Sequence, residues 1–140
     1  MQAAALLFSA SLVIILDQSA KAMVVARFPA GRWVSFGGLT IRSVLNRKLP
    51  LESFRSNAAL AWLWGAEAVF MVAMVQFGPF FQGPAAAVAL GAALGGAGSN
   101  LLDRVRRGGV VDFIDLGFWP VFNFADVAIA AGIVLSIFNA

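Results

Sequence analysis

The chain has no cysteine and no histidine. Their absence excludes disulfide staples, thiol nucleophiles, Cys/His metal sites and every triad or general base built on imidazole. Charge is scarce too. Ten Lys/Arg and seven Asp/Glu in 140 residues leave the chain 12% charged, about half the share of a soluble domain. The apolar share is 61%. That balance excludes a disordered tail, a nucleic-acid-binding module and an ordinary water-soluble enzyme. Any chemistry must come from Asp, Glu, Ser, Thr, Lys or Arg.

What is present is four long apolar stretches. A hydrocarbon core about 30 Å thick needs roughly 20 apolar residues in a helix. Residues 1–16 carry no charge, and the helix is expected to run on past Lys21 to about residue 26. Residues 58–77 are broken only by Glu67, residues 84–102 by nothing, and residues 121–138 by Asp126. The first stretch resembles a secretory signal peptide in position alone, because no basic segment precedes it. The expected architecture is an all-α membrane protein with four transmembrane helices at about 1–26, 58–77, 84–102 and 121–138. Together they make one membrane domain over residues 1–140, with loops at 27–57 and 103–120. In the third helix, Ala87, Gly91, Gly95 and Ser99 form a stripe of small residues. Such stripes let backbones approach closely in lipid, here within the chain's own bundle.

The loops hold the polar residues. Trp33 to Arg42 has partial alternation around Gly37-Gly38 and predicts a short hairpin. Residues 78–83 form an uncharged tight turn, and the 103–120 stretch has aromatic residues suited to a membrane interface. Counting crossings puts Asp17, Glu52, Asp103, Asp112, Asp115 and Asp126 on one side of the bilayer. Asp126 falls about five residues into the fourth helix, roughly 7 Å deep. Glu67 alone lies near mid-membrane, expected as a protonated side chain bonded to a neighbouring helix.

A carboxylate in a membrane segment is costly, which marks it as functional. Asn123 lies three residues before Asp126, and Asp112 sits between Val110-Val111 and Phe113-Ile114. Two carboxyl groups close together in low dielectric share a proton. An aspartic protease needs that arrangement: one member takes a proton from water and the other donates to the scissile carbonyl. The alternative makes Asp112 a solvated loop residue and Asp126 a structural hydrogen-bond partner.

Four motifs bear on the choice: Asp17-Gln18-Ser19-Ala20-Lys21, Gly98-Ser99-Asn100-Leu101-Leu102-Asp103-Arg104, Val110-Val111-Asp112-Phe113 and Phe122-Asn123-Phe124-Ala125-Asp126. In series they resemble the lipoprotein signal peptidases (signal peptidase II), bacterial membrane aspartic proteases. The resemblance implies that Asp112 and Asp126 are the catalytic pair and that Asn123 supports it. It implies that Asn100 and Arg104 shape the pocket and hold substrate backbone, that Asp17 and Lys21 are supporting, and that Asp103 is structural. The implied substrate is a diacylglyceryl-modified prolipoprotein, cut just before its lipidated cysteine. The implied location is the bacterial inner membrane, multi-pass, with the active site and a small β-containing cradle on the extracytoplasmic side. The implied surroundings are membrane lipid, with no nucleic acid, no cofactor, no metal and a monomeric enzyme.

Three features depart from that family. Its first-loop Asn-x-Gly-Ala-Ala-Phe pattern reads Asn46-Arg47-Lys48-Leu49-Pro50-Leu51 here, so only Asn46 matches and a differently shaped cradle is expected. Glu67 has no counterpart in the motifs. All ten Lys and Arg residues fall on the side of the pair, where the positive-inside rule alone would place the cytoplasm; the motifs decide for the outer face. Other readings are a catalytically idle paralog that binds lipoproteins or a family inhibitor, a proton or ion pathway through Glu67 and Asp126, and a Ser19/Lys21 dyad.

Overall fold

The computed structural model describes residues 1–29, 31–47, 57–77, 81 and 83–138. The elements run α1 (Gln2–Arg27), β1 (Trp33–Phe36), β2 (Leu39–Asn46), α2 (Asn57–Phe77), α3 (Pro84–Arg107), β3 (Val110–Asp115) and α4 (Phe124–Phe138). Among the described residues, three helices, α1, α2 and α3, are long and apolar enough to cross a membrane. α4 has 15 residues and spans about 22 Å, so it is shorter than a full crossing. Large apolar side chains face outward on α1 (Phe8, Ile15, Leu16) and on α2 (Trp62, Val69, Phe70). Such a surface suits lipid rather than water.

α3 is the central helix, packed against α1 on one side and α4 on the other. Glycines set both interfaces. A Cβ on Gly91 would collide with the Leu6 carbonyl, one on Gly95 with Ala10, and one on Gly132 of α4 with Ala89. The stripe of small residues therefore serves packing within this chain. Ser9 adds a hydrogen bond to the Val88 carbonyl at 2.8 Å, and Trp64 ties α2 to the Leu94 carbonyl at 3.1 Å.

α3 runs five residues beyond the expected end at 102. Arg104, Arg106 and Arg107 occupy its last turn, where cations meet the negative end of the helix dipole. Gly108 then stops it in the left-handed conformation at φ 72°, its N–H returning to the Arg104 carbonyl. Asp103 and Arg104 are thus helical rather than part of a loop. α4 begins three residues later than expected, so Asp126 is its third residue instead of lying five residues in.

The expected hairpin is present. β1 and β2 pair antiparallel from Trp33↔Arg42 to Phe36↔Leu39, and Gly37 and Gly38 turn the chain with φ of 52° and 98°. β3 joins β2 antiparallel, Val44 opposite Asp112 and Asn46 opposite Val110. Sequence patterning missed this third strand: Val110–Asp115 lacks clean alternation, and its partner lies more than 60 residues earlier. Lys48, Leu49, Pro50, Glu52 and most of the 78–83 turn lie outside the described residues.

Candidate active site

Three local devices bring Asp112 and Asp126 to one place. β3 delivers Asp112, a residue only 4% exposed. After β3 the chain folds back, and Ile114 and Phe122 exchange backbone hydrogen bonds at 2.8 and 3.0 Å. That return places Asn123 beside Asp112 and starts α4. Phe113 and Phe124 then lock β3 to α4, edge to face, with ring centroids 5.1 Å apart.

Asn123 is the N-cap of α4. Its Oδ1 accepts the Asp126 N–H at 2.9 Å, and Asp126 Oδ2 accepts the Asn123 N–H at 3.1 Å. This reciprocal pair is a capping box. The Asn123 amide also donates to Asp112 Oδ1 at 2.8 Å and reaches Asn100 Oδ1 at 3.2 Å. Asn123, fully buried, thereby meets both acids, its side chain bonding the Asp112 carboxyl and its backbone N–H the Asp126 carboxyl. Asn46, at the end of β2, donates to Asp112 Oδ2 at 3.1 Å. Asn100, on α3, donates to Asp126 Oδ1 at 2.9 Å. All four carboxyl oxygens have a donor.

Burial pushes the Asp112 carboxyl above the usual carboxylate range. The Asn46 and Asn123 amides oppose this, and the nearby charge of Asp126 adds to it.

Beneath the pair lies a buried ionic network. Lys21 is fully buried and meets Asp17 Oδ2 at 2.6 Å, Asp103 Oδ2 at 2.8 Å and Asn100 Oδ1 at 2.9 Å. Asp103 also pairs with Arg107 and accepts the Val111 N–H at 3.1 Å. Asp17 accepts from the Ser99 hydroxyl at 2.7 Å and from the Ala125 N–H, at the start of α4, at 3.0 Å. Two cations face two carboxylates, which is the balance a buried ion cluster requires. The network ties α1, α3, β3 and α4 together directly under the site.

Gln18, Ser99 and Arg107 escaped sequence reasoning as members of this network. Gln18 donates to Asp103 Oδ1 at 2.9 Å and to Ser99 Oγ at 3.0 Å, and accepts from Arg107 at 3.1 Å. The available signal was the i, i+4 spacing of Asp103 and Arg107 on one helix.

Arg104 and Glu67 line a cavity of about 180 Å³ between α2 and α3, with Asn100, Trp64 and Leu60. Glu67 is exposed rather than buried against a neighbouring helix. Ser19 is exposed while Lys21 is fully buried among oxygens, so the two do not form a dyad. On its open side Asp126 borders a trough of about 470 Å³ lined by Leu116, Phe118, Trp119, Phe122 and Val127. A larger apolar cavity of about 710 Å³, around Ile14, Trp62 and Leu102, includes neither carboxylate. The trough is the space that bears on the chemistry.

The family model for signal peptidase (SPase) II matches residues 9–140. A lipoprotein signal peptidase of Syntrophomonas wolfei is 41% identical over 128 residues, covering 89% of this chain and 84% of the relative. One of Mycobacterium avium is 37% identical over 96% of this chain and 79% of its own length. Among solved structures, a bacterial membrane enzyme determined at 1.9 Å resolution superposes with a TM-score of 0.70 at 26% identity, covering 95% of this chain and 90% of its own. With its long apolar helices, the chain is a multi-pass membrane protein.

Proposed function

Because the chain belongs to the signal peptidase II family, whose members remove signal peptides from prolipoproteins, we propose that it is an aspartic endopeptidase using Asp112 and Asp126 as its catalytic pair. The observation that carries this reading is Asn123, bonded through its side-chain amide to the Asp112 carboxyl and through its backbone N–H to the Asp126 carboxyl. Two carboxyl groups held this way, one buried and one half-buried, share a proton. One carboxylate takes a proton from water as the water oxygen attacks the scissile carbonyl. The protonated partner gives its proton to the carbonyl oxygen. Collapse of the tetrahedral intermediate then breaks the C–N bond. The amine leaves with the proton taken from water, and the second carboxyl group recovers its own.

The substrate that fits is a prolipoprotein carrying diacylglyceryl on its cysteine, cut just before that residue. The trough at Asp126 is apolar and aromatic, which suits a lipid-bearing peptide at the membrane interface. Asn46, Asn100 and Asn123 point donors at the pair from one chain, which supports a monomeric enzyme. The proposed location is the bacterial inner membrane, with the sheet and the pair on the extracytoplasmic side.

The test is cleavage of a diacylglyceryl-modified peptide by the purified protein in detergent. Wild type is expected to cut it, and Asp112→Asn and Asp126→Asn are each expected to abolish cutting while still binding the peptide. An inactive wild type would overturn the proposal.

A further inference from the structure

We propose that Lys21 is a positioning residue: by fixing which end of the Asn100 amide faces Asp126, it assigns the carboxylate role to Asp126 and leaves the shared proton on Asp112. The inference rests on the protease reading above and goes beyond it by distinguishing the two acids.

An ammonium group carries donors and no acceptor. Lys21 Nζ lies 2.9 Å from Asn100 Oδ1, so the amide oxygen must face the lysine. The Asn123 amide donates to that same oxygen. With its oxygen held by two donors, Asn100 turns its NH2 toward Asp126 Oδ1 at 2.9 Å. A flipped amide would set NH2 against an ammonium and against another NH2. It would also face Asp126 with an oxygen, which only a protonated carboxyl could satisfy. Lys21 excludes that arrangement.

The other Asp126 oxygen accepts the Asn123 N–H. Asp126 is the third residue of α4, where the positive end of the helix dipole favours an anion. Asp112 has no such setting. It lies on a strand, nearly sealed from solvent, and its donors are two neutral amides. Burial pushes its carboxyl up. The charged groups around the pair are Lys21 and Asp17 from α1, Asp103, Arg104 and Arg107 from α3, and Glu67 from α2; β2 contributes the neutral Asn46. Lys21 bonds Asn100 directly.

The step is then assigned. Asp126, on the open side toward the trough, takes the proton from the attacking water. Asp112 gives its proton to the carbonyl oxygen and recovers one when the intermediate collapses. Asp126 passes the water-derived proton to the departing amine.

The experiment compares wild type, Lys21→Met and Asn100→Asp on a diacylglyceryl-modified peptide in detergent micelles, recording kcat, KM, the pH profile and thermal unfolding. Asn100→Asp is the decisive variant. It keeps an oxygen for Lys21 and replaces the donor to Asp126 with a second carboxyl oxygen, so it breaks the Asp126 contact without emptying the buried ion network, and thermal unfolding checks that it is folded. Losing a hydrogen bond to a charged group predicts a kcat lower by on the order of tenfold or more, with KM nearly unchanged. The acidic limb of the profile is expected to move to higher pH, because the base loses the donor that favours its charged form. Lys21→Met, if folded, should move the same limb the same way. Wild-type kcat in Asn100→Asp, or a shift of the alkaline limb in place of the acidic one, would overturn the inference and leave the protease reading standing. A wild type that fails to cleave would overturn both.

Discussion

Replacing Asn123 with serine and with alanine separates two jobs done by one side chain. Its oxygen caps α4 by accepting the Asp126 N–H at 2.9 Å, and its amide donates to Asp112 at 2.8 Å. Serine caps a helix about as well as asparagine but is too short to reach Asp112. Alanine does neither. Both variants lose a hydrogen bond to a buried carboxyl group, worth about 1.5–3 kcal/mol when that group is charged. Expressed as a barrier, that is roughly a 10- to 150-fold fall in kcat. Only alanine also loses the cap, a further cost of about 1 kcal/mol in stability. The expected pattern is therefore two variants equally slow on a diacylglyceryl-modified peptide, with alanine less stable than serine by about 1 kcal/mol when unfolded in the same detergent. Wild-type turnover in Asn123→Ser would refute the bridging role. Equal stability of the two would refute the capping role.

The raised Asp112 carboxyl places the alkaline limb of the pH–rate profile above the ordinary carboxylate range, since activity ends when the pair loses its last proton. The folded protein also holds that proton more tightly than the unfolded chain, so stability should fall as pH rises through the same window; a profile set by unshifted carboxyls would contradict this. Gly95→Val drives side-chain atoms into the Ala10 backbone and should cost about 1–3 kcal/mol or more, whereas Gly65→Ala meets nothing within 4 Å and should be harmless; thermal unfolding compares them. The chain has no cysteine, so Ser35→Cys on the exposed β1 strand provides a single label site. A membrane-impermeant thiol reagent should modify it in intact cells; labelling only after the inner membrane is opened would reverse the proposed orientation.

The apolar stretches and the Gly37-Gly38 hairpin were legible because each is a local signal: hydropathy over some twenty residues, or two glycines between extended runs. The stripe through Gly91 and Gly95 could be read as a packing surface, though only the structure shows that α1 fills it. β3 was not legible, because a strand is defined by a partner and that partner is β2, far back in the chain. The end of α3 could have been read from Gly108 following three arginines, a cap pattern that a change in hydropathy at residue 102 concealed. The polar residues of the site were picked out by type and spacing, yet their wiring was not. Gln18 meets Ser99 across 81 positions, and no spacing rule reaches that far.

The capping box at the head of α4 has one consequence for turnover. Asp126 both fastens the first turn of that helix and, in the proposed reaction, accepts the proton of water. Uptake of that proton weakens the bond Asp126 accepts from the Asn123 N–H, so the chemistry and the start of the helix are coupled through one backbone amide.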